Sequence, residues 1–153
     1  GGYGHPDHIQ AHRVATYAAA LAAAPSFRPD LGTEWVIDKT YWTAFPRSVI
    51  AAGIEAMRES GLANDFTEMD VDAAPFACDD ELITAEIDAA DRLEQKMAAM
   101  RAHASQIDVE GPFFALSNNL GSRAMGVEYF RLVAGDGAPG PGGREDDLFA
   151  GIA

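Results

Sequence analysis

The sequence predicts an α/β fold in which helices pack against a sheet as a sandwich. Segments with helical spacing of their apolar residues alternate with short segments rich in β-branched and aromatic residues, the order that builds layered α/β domains. The 153 residues are 48% hydrophobic and 23% charged, which suits one globular domain or a large piece of one. Because few strands can be placed, we expect about half of the sheet to be missing.

The first helix is predicted to begin at Pro6, since proline suits the first helical position. Asp7 follows it, and a carboxylate favours the positive end of the helix dipole. The helix continues into the alanine-rich stretch Ala20–Ala24, and Pro25 ends it. Residues 26–34 contain further proline and glycine and are predicted to form a loop.

The next strand is predicted around residues 37–43, where β-branched and aromatic residues are concentrated. Pro46 starts a second helix, whose apolar residues keep helical spacing until Gly61 closes it. The stretch 62–80 is acidic and is predicted to be irregular.

The remaining elements are predicted from shorter patterns. Apolar and polar residues alternate over 83–87, which indicates a strand, and the clearest helix covers Ala89 to Gln106. Residues 113–116 are expected to be extended, and Tyr129–Val133 is expected to be a strand. We assign residues 1–134 to the C-terminal portion of a single domain.

Residues 135–153 form the second unit of this division. Five glycines and two prolines fall within 135–143, so this part is predicted to be a flexible surface segment before an acidic tail. The acidic runs 79–81 and 145–147 resemble metal-binding runs, but most such runs are solvated faces, and we expect the same here.

The charge balance excludes several classes of partner. The chain has 11 basic and 24 acidic residues, a net charge of −13, which repels phosphate backbones and anionic lipid. We therefore expect neither nucleic-acid nor membrane binding. Its longest apolar run is far shorter than the ~20 residues that a membrane span needs. Cys78 is the only cysteine, so no intrachain disulfide is possible, and a reducing cytoplasm is the expected compartment.

The first eight residues concentrate reactive side chains at a predicted strand-to-helix turn. We call residues 1–8 the octad; it contains a phenol, two imidazoles and a carboxylate, from Tyr3, His5, His8 and Asp7. Open α/β sheets bind ligands at such turns. Proteins rarely begin at their own active site, so we expect this chain to be the C-terminal part of a longer protein.

Physical chemistry alone leaves the role of the octad open. His8 and His12 stand four residues apart on one helix face, a spacing that can chelate zinc. A carboxylate beside an imidazole fixes its tautomer and favours the protonated form, so His5 and Asp7 suit acid–base chemistry. Tyr3 lies between glycines and can serve as an oxyanion donor. An ordinary helix entrance is equally compatible with these residues.

The octad resembles the second conserved motif of the LmbE-like zinc deacetylases, the PIG-L family. The resemblance covers nearly the whole chain in order. Further matching segments are 39–43, 102–106, 115–120, 128–130 and 144–151. It implies the C-terminal part of a Rossmann-like α/β sandwich with a mixed sheet. The implied activity is zinc-dependent removal of the acetyl group from an N-acetylglucosaminyl-inositol, a small amino-sugar substrate, in mycothiol biosynthesis.

The resemblance also implies a role for each side chain of the octad. His8 matches a ligand of the family's single Zn²⁺, for which Fe²⁺ is an alternative. Tyr3 would stabilise the oxyanion, and His5, held by Asp7, would act electrostatically or as an acid towards the leaving amine. His12 matches no ligand, so a place outside the metal site becomes its better interpretation.

The family's other motif, Ala-His-Pro-Asp-Asp-Glu, does not occur in this sequence. In the family that motif supplies the two remaining zinc ligands and the general base. We therefore expect the isolated 153 residues to be inactive.

Three alternative functions stay open at this point. One is a mycothiol S-conjugate amidase, against which Gly4 and the run 117–120 argue by family resemblance. Another is a deacetylase of the same family that acts on a different N-acetylglucosaminyl compound. The third is a degenerate sugar-binding module that is not an enzyme. Gln106 and Asn118 are candidate substrate-binding residues, and the oligomeric state is left open.

Overall fold

The computed structural model describes residues 2–59, 61, 65, 67–106 and 126–152. Within these ranges, four strands form one sheet in the spatial order β2-β1-β4-β3. The strands are β1 (Thr40–Pro46), β2 (Ala77–Cys78), β3 (Ala85–Asp88) and β4 (Val127–Ala134). β4 runs antiparallel to both β1 and β3, whereas β1 and β2 are parallel. The predicted α/β class and the mixed sheet are therefore confirmed.

Three α-helices accompany the sheet in the described part of the chain. They are α1 (Pro6–Ala22), α2 (Arg47–Glu59) and α3 (Leu93–Ala102). Single 3₁₀ turns occur at Pro29–Leu31, Asp80–Leu82 and Ala90–Arg92. Each α-helix was expected, but α1 ends two residues before Ala24, and α3 is shorter than predicted at both ends. The predicted extended segment 113–116 lies outside the described residues.

The first strand begins three residues later than predicted, and its partner explains why. β1 pairs with β4 from Thr40↔Ala134 to Ala44↔Tyr129. Beyond Ala134, Gly135 has a φ of +94°, and a Cβ at this position would lie 2.0 Å from the carbonyl oxygen of Asp38. The chain therefore turns sharply past Asp38, so the residues before Thr40 find no continuing strand beside them.

The small core lies under α2. Ile50, Ile54 and Met57 project from one helix face at helical spacing and are buried. The half-buried residues packed against them come from the stretch that was predicted to be irregular: Met69, Val71, Phe76 and Ala77. This stretch thus supplies one side of the core and the short strand β2.

Polar contacts hold the acidic run 79–81 against the start of α2. Asp80 accepts hydrogen bonds from the backbone amide and the hydroxyl of Ser48, which lower the pKa of the Asp80 carboxyl. Arg47 donates through Nε to Asp79 over 3.0 Å. The Asp80 carboxylate thus satisfies one of the backbone amides at the N-terminus of α2 while it stays at the surface.

The acidic tail is joined to the edge of the sheet. Glu86 N donates to Glu145 O over 2.9 Å, and Glu145 N donates to Thr84 O over 2.8 Å. Glu145 is 2% exposed, so the expectation of a solvated face for the run 145–147 is wrong for this residue. None of the helices in the described ranges is long and apolar enough to cross a membrane.

Candidate functional site

The octad lies at the amino end of α1 and is organised by that helix start. His5 is the N-cap residue, and its Nδ1 accepts a hydrogen bond of 3.2 Å from the backbone amide of Asp7. Pro6 occupies the first turn, as the sequence predicts. Gly4 has a φ of +92°, a backbone conformation that L side chains rarely adopt, so glycine is required where the chain turns into α1.

Three aromatic rings of the octad come together at this helix start. The centroid of the Tyr3 ring lies 5.0 Å from that of His8 and 6.1 Å from that of His5. The two imidazoles are 5.7 Å apart with their planes at 75°. Tyr3 is 57% exposed, so the cluster opens to solvent. A phenol and two imidazoles can therefore approach one small polar molecule from the same side.

His5 is contacted by the backbone amide of Asp7 and not by the Asp7 carboxylate. Its carboxylate oxygen is 3.9 Å from His5 Nδ1, too far for a hydrogen bond, and its side chain is 91% exposed. The shorter contact is the one from the Asp7 amide to Nδ1. Because Nδ1 accepts that hydrogen, a neutral His5 carries its proton on Nε2, from which it can donate a hydrogen bond outward.

His12 points to a different neighbour. Its ring meets that of Trp42 on β1 edge-on, with a centroid distance of 5.3 Å. The guanidinium of Arg131 lies over the Trp42 ring, 5.8 Å from its centroid. His12 therefore contributes to the contact between α1 and the sheet, which supports the interpretation that places it outside a metal site.

Of the two candidate substrate-binding residues, the structure describes Gln106, which is not joined to the octad. Gln106 lies in the turn after α3, where its backbone amide donates to His103 O over 2.8 Å. Its side chain is exposed, and the hydrogen bonds and ring contacts described for the octad do not include it. Asn118 lies outside the described residues, so both assignments stay predictions.

The octad can supply one ligand of a metal site. Zn²⁺ takes imidazole nitrogen readily, and His8 offers such a nitrogen beside the other two rings. Across the described ranges, however, no three His, Cys, Asp or Glu side chains are grouped so that they could hold a metal ion. His8 is therefore a residue of the type that binds zinc, but the described residues supply too few donors to form a complete site.

A second group of ionisable residues is buried where β1 begins. Lys39 Nζ donates to Glu145 Oε1 over 2.6 Å, and Tyr41 Oη donates to Glu145 Oε2 over 2.7 Å. The side chains of Lys39 and Glu145 are 5% and 2% exposed. Lys39 and Tyr41 stand 106 and 104 residues from Glu145 along the chain, so no local pattern revealed this cluster.

Hydrogen bonding and burial shift the pKa values of this group. The hydrogen bond to Glu145 raises the pKa of Lys39, and burial together with the same carboxylate raises that of Tyr41. Burial alone would raise the pKa of Glu145, but the hydrogen bonds from Lys39, Ala138 and Tyr41 outweigh it and lower the pKa. At neutral pH the cluster is a charged pair with a neutral phenol.

Comparisons with known proteins give a consistent result. No protein-family model matches the chain. The chain is 56% identical over 153 residues to a 1D-myo-inositol 2-acetamido-2-deoxy-alpha-D-glucopyranoside deacetylase of Geodermatophilus obscurus, covering 99% of this chain and 52% of the relative. Proteins with the same name from Nocardioides sp. and Streptomyces avermitilis are 57% and 51% identical, covering 99% and 100% of the chain.

The aligned region is only part of each relative. The chain spans about half the length of the curated relatives it matches, 51% of the proteins from Nocardioides and Streptomyces. The similarity includes the octad, because 99% or more of the chain is aligned. The resemblance inferred from the motifs is thus confirmed by proteins that carry a deacetylase name.

Proposed function

We propose that this chain, a homologue of the inositol acetamido-glucopyranoside deacetylases over 99% of its length, supplies one side of the active site of such an N-deacetylase. The observation that carries the proposal is the cluster of Tyr3, His5 and His8 at the start of α1. The reaction is hydrolysis of the acetamide on the glucosamine ring of an N-acetylglucosaminyl-inositol. The names of the relatives favour this substrate over a mycothiol conjugate.

The side chains of the cluster have complementary roles in amide hydrolysis. Attack on the acetamide carbonyl places negative charge on its oxygen, and the Tyr3 hydroxyl donates a hydrogen bond to that oxygen. The amine that leaves must gain a proton, which is one that the general base outside this chain takes from the attacking water, and His5 orients the leaving nitrogen by donating a hydrogen bond from Nε2, since its Nδ1 accepts from the Asp7 amide. The Asp7 carboxylate adds negative charge near His5.

His8 holds the metal ion in this proposal. Bound Zn²⁺ would lower the pKa of a water molecule and polarise the acetamide carbonyl. One imidazole cannot form a zinc site, so the remaining ligands and the general base belong to sequence outside this chain. Iron(II) is a second candidate, because it also accepts nitrogen and carboxylate ligands. We propose the cytoplasm as the compartment, in keeping with the acidic composition and single cysteine.

The complete protein should deacetylate N-acetylglucosaminyl-inositol, whereas the 153-residue chain alone should show no turnover. The measurement is release of the free amine with zinc added, in parallel for the two proteins. Treatment of the complete protein with a chelator should remove its activity, and zinc should restore it. Turnover by the isolated chain above a metal-free control would contradict the proposal, as would a complete protein that binds the sugar without hydrolysing it.

Changing Tyr3 to phenylalanine in the complete protein should lower kcat by about 10²-fold, the usual cost of losing one oxyanion donor. KM should change little, because the hydrogen bond strengthens only as charge develops. Tyr17→Phe removes a hydroxyl from an exposed position within α1, away from the octad, and should leave kcat unaltered. Equal kcat values for the two variants would exclude Tyr3 from the reaction.

A further inference from the structure

Helix α1 carries the octad at its start, so the packing of this helix on the sheet sets where the octad lies. Within the described part of the chain, none of the seventeen residues of α1 is buried. Near the helix end, the carbonyl of Ala22 accepts a hydrogen bond of 2.8 Å from the backbone amide of Trp35. Closer to the octad, the ring of His12 meets that of Trp42 on β1. The contact between His12 and Trp42 therefore holds the half of α1 that bears the octad.

His12 lies on the helix face that presents the imidazoles of the octad. Residues spaced by three, four and seven share a helix face, and His8 and His5 stand four and seven residues before His12. At 1.5 Å per residue, His8 is about 6 Å from His12 along the helix axis. Because backbone hydrogen bonds make this turn rigid, a shift of α1 at His12 moves His8 with it. The Tyr3 ring, 5.0 Å from that of His8, moves as well.

The indole of Trp42 is held in a defined orientation. Trp42 pairs with Arg131 between β1 and β4, and the Arg131 guanidinium lies 5.8 Å from the centroid of the ring. A cation over an aromatic face is attracted to it, and the edge-on contact with His12, at 81° between planes, is a favoured ring geometry. The indole is 45% exposed and lies outside the core under α2. Its removal therefore changes the support of α1 without opening a cavity in that core.

We propose that Trp42 is a positioning residue for the octad. Through His12 it fixes the distance between the start of α1 and the sheet, and so the place where the Tyr3 phenol and the His8 imidazole meet the substrate. Its effect on catalysis rests on the proposed function. A displacement of about 1 Å in a positioned group can cost about 10²-fold in rate. Trp42 acts through the helix in this role and is assigned no contact with the substrate.

Trp42→Ala in the complete protein should lower kcat by about tenfold and leave KM and zinc content nearly unchanged, because the oxyanion donor is misplaced. The deciding measurement combines this change with Tyr3→Phe. Tyr3→Phe alone costs about 10²-fold, but in the Trp42→Ala protein it should cost less than about tenfold, since the displaced phenol has already lost most of its hydrogen bond. Trp42→Phe keeps a ring beside His12 and should restore kcat to within about threefold.

Trp35→Ala is the matched control. Trp35 is the other tryptophan of the chain, is 69% exposed and lies in the loop before β1. Its hydrogen bond to Ala22 comes from the backbone amide, so alanine retains it. The control should leave both kcat and the cost of Tyr3→Phe unaltered. Full kcat in Trp42→Ala, or losses from Trp42→Ala and Tyr3→Phe that multiply in full, would overturn the positioning role.

A second measurement is independent of hydrolysis. In the complete protein with ¹⁵N-labelled histidine, Trp42→Ala should move the imidazole NMR signals of His5 and His8, whereas Trp42→Phe and Trp35→Ala should leave them in place. These signals report the surroundings of each ring whether or not the protein turns over. Moved signals in an inactive protein would refute the proposed function and leave the positioning role standing. Unmoved signals in Trp42→Ala would overturn the positioning role.

Discussion

Replacing His8 with alanine in the complete protein should reduce kcat/KM by more than about 10²-fold, because even residues that only orient metal ligands cost 10- to 100-fold when removed. His8 is the one octad residue assigned to the metal, and its ring lies 5.0 Å from that of Tyr3. The variant should also retain less zinc per protein molecule after dialysis. Metal content is measured by atomic emission, and kcat/KM by amine release.

His12→Ala provides the matched control for this prediction. His12 lies one helical turn after His8 on the same face of α1, but it contacts Trp42 instead of the octad. Its loss should leave zinc content unchanged and alter kcat/KM by less than about tenfold, as expected for a residue that acts only through helix packing. Zinc loss in His12→Ala as severe as in His8→Ala would revive the chelating pair and displace the proposed assignment.

The octad was predictable from sequence because its geometry is local. A proline at the helix start, an N-cap at His5 and a glycine at the turn are signals that act over a few residues. They also bring Tyr3, His5 and His8 together without help from distant segments. The role of each side chain came from the family resemblance, since local geometry alone is equally compatible with an ordinary helix entrance.

Features set by distant pairing were predicted less well. β1 was placed three residues early because its start depends on where β4 ends, at Ala134 before Gly135. The short strand β2 was missed, since two residues carry too little pattern to be recognised. The burial of Glu145 was missed because its partners are distant in sequence: Tyr41 lies in β1, and Lys39 is the residue before β1.

Replacing Glu145 with alanine should lower the free energy of unfolding by about 3 kcal/mol or more, because it leaves a buried ammonium without its partner. Glu145 accepts hydrogen bonds from Lys39 Nζ, Tyr41 Oη and the Ala138 amide at 2.6, 2.7 and 2.8 Å. Urea unfolding followed by tryptophan fluorescence measures the loss. Asp146→Ala, at an exposed position of the same acidic run, should change the stability by less than about 0.5 kcal/mol.

A double replacement distinguishes the effect of an unpaired charge from the effect of losing the whole Lys39–Glu145 ion pair. Lys39→Met combined with Glu145→Leu removes both charges and should recover much of the stability that Glu145→Ala loses, since apolar substitutes often replace a buried ion pair without cost. Lys39 Nζ also donates to Ala150 O over 2.5 Å, so the recovery should be incomplete. A double variant less stable than Glu145→Ala would show that the cluster matters through its hydrogen bonds to the tail rather than through charge balance.

The same cluster should make stability depend on pH in a defined direction. The pKa of Glu145 is lower in the folded protein than its ordinary value of 4.5, so its ionised form is favoured by folding. Its contribution is therefore fully present above about pH 4.5 and is lost as the pH falls through the folded value. The pKa of Lys39 is raised above 10.5, so its contribution is present below that pH and is lost on further alkalinisation.

Glu145→Gln should flatten the acid side of a profile of the free energy of unfolding against pH. A variant whose acid limb matches that of the unmodified chain would place the acid sensitivity in other carboxylates, of which Asp80, with its lowered pKa, is the next candidate.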